Sequence, residues 1–120
     1  MTKLADKNKW NDFLTEFSRR NRMRRARLEF FNQQQVVEEN QEAQLERIAV
    51  DLSELNAPLV IITRVDNSTM EPQVIVNSIP NVERINAQLD TDKSESALEI
   101  ESKNRVLTIL RMESMVDEAS

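Results

Sequence analysis

The sequence predicts an α+β fold in which one N-terminal helix packs on a mainly antiparallel sheet of five to six strands, with a barrel-like sheet as one available form. Apolar residues recur at helical spacing near the N-terminus, and later segments alternate between apolar and polar residues. The chain has 120 residues, which favours one domain with one core. We expect that domain to span residues 1–113, followed by a disordered acidic tail at 114–120.

The predicted helix holds most of the aromatic bulk of the chain. Its apolar face consists of Trp10, Phe13, Leu14 and Phe17. These positions follow the pattern i, i+3, i+4 and i+7, so all four side chains lie on one side of a helix. Asp6 is the expected N-cap, and the helix is expected to end near Asn21. We therefore expect this helix to fill the core.

Strands are predicted wherever the period changes to two or a β-branched run occurs. The predicted strands are 23–31, 58–65, 73–79, 85–89, 95–101 and 106–112. Residues 36–56 fit either a helix or strands. Gln, Glu and Ala favour a helix at 38–55, whereas Ile48, Val50 and Leu52 alternate as in a strand.

The last two predicted strands form a hairpin around a four-residue loop at 102–105. The predicted pairs are Ile100 with Leu107 and Leu98 with Ile109. Both pairs then lie on one face of the sheet, as a half-buried hairpin requires. Asn104 is the loop residue expected at positive φ.

The residues that are missing restrict the possible chemistry. The chain has no His, Cys or Gly. Imidazole and thiol catalysis, Cys-ligated zinc and glycine-rich phosphate loops are therefore excluded. We expect a non-enzymatic protein without a cofactor or metal, and turns at positive φ built from Asn or Asp. Without cysteines or an apolar run of the ~20 residues that a spanning helix needs, we expect a cytoplasmic protein without membrane insertion.

Four sequence segments resemble a small, uncharacterised bacterial family of domains of unknown function. They are Trp10-x-x-Phe13-x-x-x-Phe17-Ser18-Arg19, Arg27-Leu28-Glu29, Ile79-Pro80-Asn81-Val82-x-Arg84-Ile85 and Ala97-Leu98-Glu99-Ile100-Glu101. The resemblance covers residues 4–112. It implies a mostly antiparallel sheet with one N-terminal helix, and strands rather than a helix at 36–56. It implies no activity and no catalytic residue.

Charge is divided unevenly along the chain. Residues 1–35 contain nine Lys or Arg and four Asp or Glu, a net charge of +5, and residues 36–120 carry −10. The basic part ends in a cluster that consists of Arg19, Arg20, Arg22, Arg24, Arg25 and Arg27. These side chains are the candidate partner-binding residues, and they are suited to an acidic protein or to phosphates. The alternative is a solvated surface neutralised by the acidic body of the same protein or of a copy.

Two acidic groups are weaker candidates. Asp90, Asp92, Ser94 and Glu101 occupy positions 1, 3, 5 and 12 of a calcium loop, but Glu95 stands where that loop needs Gly. A polar turn explains this segment better. Glu99 and Glu101 share one strand face and could act as an acid–base pair, although the outer face of a sheet is the ordinary place for such residues.

The functional expectation is a small protein-interaction or accessory domain. It would bind a partner, in the first place an acidic protein, through the arginines of residues 19–27 or through an exposed sheet edge. The alternative is a nucleic-acid-binding module that uses the same arginines. Self-association is left open.

Overall fold

A computed structural model describes residues 2–33, 35–39, 42–54 and 56–113. The elements in chain order are β1 (Thr2–Leu4), a 3-10 turn (Lys7–Lys9), α1 (Trp10–Asn21), β2 (Arg25–Asn32), β3 (Gln35–Glu39), β4 (Ala43–Asp51), β5 (Leu59–Asp66), β6 (Gln73–Ile79), β7 (Val82–Leu89), β8 (Glu95–Ser102), a second 3-10 turn (Lys103–Arg105) and β9 (Val106–Met112). Neither α1 nor the 3-10 turns of these ranges could cross a membrane. The tail predicted at 114–120 lies outside the described residues.

The α+β prediction is confirmed, but five to six strands is too few. Nine strands of the described ranges form one antiparallel sheet in the order β1-β7-β8-β9-β2-β4-β5-β6, with β3 paired beside β2. Pro80 and Asn81 alone connect β6, at one end of this order, to β7 near the other end. The sheet therefore curls back on itself. It does not close into a barrel, because no ladder joins β6 to β1 or β7 in the described chain.

The helix fills the inside of the curled sheet, as predicted. Trp10, Leu14 and Phe17 are at most 1% exposed, and Phe13 is partly buried against the same core. The indole Nε1 of Trp10 donates to the Ala5 carbonyl at 3.2 Å, which satisfies its polar group inside the core.

The prediction is right for the C-terminal end of the helix and wrong for its N-cap. Asn21 is its last residue, as expected. Asp6 precedes the 3-10 turn rather than the helix, and its side chain makes no capping hydrogen bond, so the expected N-cap is wrong. The 3-10 turn stands between Asp6 and the first residue of the helix.

Residues 36–56 contain strands, so the helical alternative at 38–55 is wrong. Leu45 and Ile48 of β4 are both buried. They are three residues apart, and a register shift between Leu45 and Arg47 keeps both on the inner face of the sheet. Pairing with β5 therefore decides a segment whose local helix preference is substantial.

Helix α1 lies beside β4 beyond the point where β4 stops pairing with β2. The ladder between β2 and β4 consists of two pairs at the start of each strand. Beyond them, the Ser18 hydroxyl accepts a hydrogen bond from the Ile48 N–H at 2.8 Å. A helix side chain thus satisfies a backbone group that has left the sheet ladder.

The last hairpin exists, but its predicted register is wrong by one residue. Ser102 pairs with Val106, and Ile100 faces Thr108 rather than Leu107. Leu98 correspondingly faces Leu110 rather than Ile109. The reason is a three-residue loop, Lys103–Arg105, whose last two residues have φ of 66° and 62°. The positive φ predicted for Asn104 is confirmed.

A chain without glycine still makes several turns at positive φ. The described residues with this backbone are Met23, Gln33, Asn81, Lys93, Asn104 and Arg105. Two are Asn, so the expectation that Asn or Asp would supply these turns holds only in part. The other four residues are of types that have a larger steric cost at positive φ.

Candidate interaction surfaces

The arginine cluster of the sequence does not form one patch on the folded chain. Arg19 and Arg22 line a groove between α1 and β4. Arg20 lines a second groove beside the 3-10 turn, and Arg27 lines a third on the outer face of the sheet. The helix ends and β2 begins within this segment, so consecutive arginines project in different directions.

Five of these arginines have a glutamate partner in the same chain. The ion pairs are Arg19–Glu16 at 2.5 Å, Arg20–Glu95 at 2.6 Å, Arg22–Glu46 at 3.0 Å, Arg25–Glu42 at 3.3 Å and Arg27–Glu29 at 3.8 Å. The hydrogen bond from Arg19 and its charge hold the pKa of Glu16 below its ordinary value. Much of the basic charge is therefore compensated within the molecule, which weakens its attraction for an external anion.

Arg24 differs from the other five because it bonds to one side-chain amide and two backbone carbonyls from three parts of the chain. Its Nη1 donates to the Asn21 Oδ1 at 2.7 Å and to the Glu95 carbonyl at 2.8 Å, and its Nη2 donates to the Glu113 carbonyl. Burial lowers the pKa of Arg24. These contacts connect the end of α1 to β8 and to the chain after β9, so we assign Arg24 a structural role.

The groove between α1 and β4 has a volume of about 580 Å³, and Arg47 joins Arg19, Arg22 and Glu46 in its lining. Arg47 is exposed, and no described carboxylate pairs with it. Sequence analysis missed Arg47 because residues 36–56 were not assigned to strands. The signal that could have found it is its parity opposite to Ile48; it shares the parity of the buried Leu45, and the register shift between Leu45 and Arg47 turns it outward.

The groove on the outer sheet face carries both signs of charge. It has a volume of about 570 Å³ and is lined by Arg27, Arg111 and Glu99 among others. Arg111 donates to Glu29, the same carboxylate that pairs with Arg27. Ile109 forms part of the lining and is only 7% exposed. The mixed charges do not favour one class of ligand.

Strand β6 presents an uncharged edge of the sheet. It is seven residues long, pairs with β5 on one side, and has no strand on its other side in the described chain. Val74 is 65% exposed and Val76 is 57% exposed. Pro72 and Pro80 flank the strand and are the sequence signal for an edge, because proline cannot donate to a ladder.

The other strands with an open side are less suited to pairing. β1 has three residues. β3 has five residues, two fewer than β6. Among the described strands, β6 therefore has the longest open edge without charge.

The two acidic candidates take part in ordinary local contacts. The Asp92 Oδ1 accepts from the Ser94 backbone N–H at 3.0 Å and from its hydroxyl at 2.6 Å, which forms the turn before β8 and lowers the pKa of Asp92. Glu99 accepts from Gln88, and Glu101 pairs with Arg84 at 3.7 Å. The described residues contain no group of three or more acidic side chains placed to hold a metal ion.

Comparison with protein-family models, curated proteins and solved structures finds no match to this chain. The resemblance to a bacterial family of unknown function stays a prediction.

Proposed function

We propose that this chain is a non-enzymatic protein-interaction domain that acts in the cytoplasm and binds its partner as an added strand on the edge of β6. The observation that carries the proposal is the combination of length, exposure and neutrality at this edge. Seven residues without a charged side chain are open to an incoming strand. Backbone hydrogen bonds would supply affinity, and contacts with Val74 and Val76 would supply specificity.

The neutrality of β6 is unusual for this chain. Charged residues make up 31% of the sequence, and natural proteins commonly place charge on open strands to prevent pairing. On β5, outward-facing Thr63 pairs with Val76 and Ile61 pairs with Ser78, which extends the apolar surface away from the edge. Such a surface favours a partner that brings apolar side chains on alternate positions of an extended segment.

The arginine surface is a weaker candidate than β6 for the docking site. Glutamates of the same chain compensate five of its six arginines, and Arg24 is bonded to backbone carbonyls. The groove that contains Arg19, Arg22 and Arg47 is the observation that keeps nucleic acid as the competing outcome of the test.

The test compares capture of partners from the native cell extract, with and without nuclease. The bait proteins are wild type, Val76→Lys, Val36→Lys and the triple variant Arg19→Ala/Arg22→Ala/Arg47→Ala. Val36 is the matched control, because it is a valine on another open strand with the same 57% exposure. We expect a discrete protein that survives nuclease, is lost with Val76→Lys and is retained with the other two variants. Loss with the arginine variant and sensitivity to nuclease would replace the proposal with the nucleic-acid module.

A further inference from the structure

The sequence of β6 can pair with itself in the antiparallel direction. We propose that the strand that binds this edge comes from a second copy of the chain, related by a two-fold axis at Val76; this rests on the proposed function of β6 as the docking element. The pairing sets Val76 opposite Val76, Val74 opposite Ser78 and Gln73 opposite Ile79. A two-fold arrangement of this kind uses the same surface on both copies.

No like charges oppose each other in this arrangement. None of the paired positions carries a charged side chain. Val74, Val76 and Ser78 are exposed at alternate positions on the outer face of β6, so both copies contribute to one continuous stripe. Burial of four valines from the two copies supplies the apolar contribution, and the joined sheets satisfy the open backbone groups of each edge.

The ends of the strand also match a two-fold partner. Pro72 of one copy lies opposite Pro80 of the other, and neither residue has an N–H to donate, so the ladder stops at the same place on both ends. One residue further, Glu71 of one copy approaches Asn81 of the other. Lys103 is beside Asn81, since its backbone N–H donates to the Asn81 carbonyl at 3.1 Å. The Lys103 ammonium donates to the Asn56 carbonyl at 3.2 Å, so the two ends match through their prolines and not through an ion pair.

The expected dimer is weak and depends on concentration. A pair of seven-residue strands is small beside the ~800 Å² per partner of a stable complex. We expect dissociation constants on the order of 10–100 μM, which corresponds to about 5–7 kcal/mol. Each copy carries a net charge of −5, which further opposes tight association.

The test is sedimentation equilibrium from about 5 μM to 1 mM, a range that brackets this affinity. We expect wild type and the control Val36→Lys to dimerise, and Val76→Lys to weaken the dimer at least tenfold, because it places two ammonium groups opposite each other. Circular dichroism checks that each variant is folded.

A wild-type protein that stays monomeric at 1 mM would overturn the inference, as would equal weakening by Val76→Lys and Val36→Lys. The proposed function fails separately. A monomeric chain that loses a captured protein with Val76→Lys would keep β6 as the docking element and remove only the second copy as its occupant. A monomeric chain whose captured protein is unaffected by Val76→Lys would overturn both.

Discussion

Replacement of Arg64 tests how the curled sheet is held together. Arg64 lies on β5 and is fully buried, with 0% of its surface exposed. Its Nη1 donates to the Ala26 carbonyl of β2 at 3.0 Å, and its Nη2 donates to the Asn77 Oδ1 of β6 at 3.3 Å. Burial lowers the pKa of this guanidinium. One side chain thus connects three strands where the ladder between β2 and β4 has only two pairs.

The expected loss follows from these contacts. Arg64→Ala leaves the buried Ala26 carbonyl without this donor, which costs about 1–3 kcal/mol. Removal of the buried stem costs about 2–5 kcal/mol, as for other large-to-small changes in a core. Because the site relaxes in part, we expect a total of about 3–5 kcal/mol, a large share of the ~5–15 kcal/mol of a typical domain. Arg64→Met keeps most of the stem and removes a buried charge, so it should cost only about 1–3 kcal/mol.

Urea unfolding followed by Trp10 fluorescence measures both variants. Trp10 is the only tryptophan and is 1% exposed, so its emission reports on the core. Arg47→Ala on β4 is the control, because its side chain is exposed and should change stability by less than about 0.5 kcal/mol. An Arg64→Ala protein within 1 kcal/mol of wild type, or a Met variant as unstable as the Ala variant, would refute the reasoning.

Three further predictions concern single residues. Arg24→Ala should destabilise the protein by about 1–3 kcal/mol because it frees backbone carbonyls, whereas the exposed Arg22→Ala should be nearly neutral; thermal unfolding of the pair measures the difference. Met23→Gly should stabilise by about 0.5–1 kcal/mol, since Met23 has φ of 71°, and denaturant unfolding checks it. Ser94→Ala should raise the lowered pKa of Asp92 in a carboxyl NMR titration. The stability that Asp92 contributes is present above its ordinary pKa and lost as pH falls through the lower folded value.

The helix was predictable because its evidence is local. Four large apolar side chains at helical spacing specify both the element and its buried face. The same holds for Asn104, where a short loop needs a residue that tolerates positive φ. Neither inference requires knowledge of a distant segment.

The pairing of strands that lie far apart in the sequence was not predictable, since it depends on contacts between distant segments. Residues 43–51 have helix-forming composition, and the partner β5 makes them a strand. The hairpin register depended on one residue of loop length, because Arg105 joins Asn104 at positive φ. Arg64 shares the parity of Val60 and Ile62, which indicates an inward position, but its bonded carbonyl belongs to a strand 38 residues earlier.

The arginine surface shows why closeness in sequence is a poor guide to a binding site. Six arginines within nine residues suggested one basic patch. The chain changes from helix to strand at residues 22–24, which separates the side chains and brings each near a different glutamate. Arg22 and Arg25, for example, pair with Glu46 and Glu42, which follow them by 24 and 17 residues.

These internal pairs also determine what an external partner would encounter. Arg20, Arg22 and Arg25 pair with glutamates of the later, acidic part of the chain, so part of the basic charge is neutralised by ion pairs within the fold. The molecule as a whole has a net charge of −5. A partner held by arginines would dissociate as salt screens the attraction. A second acidic copy on the neutral edge of β6 would instead bind as well or better when salt screens the repulsion between the copies. The sign of the salt dependence therefore separates the two surfaces even before any residue is changed.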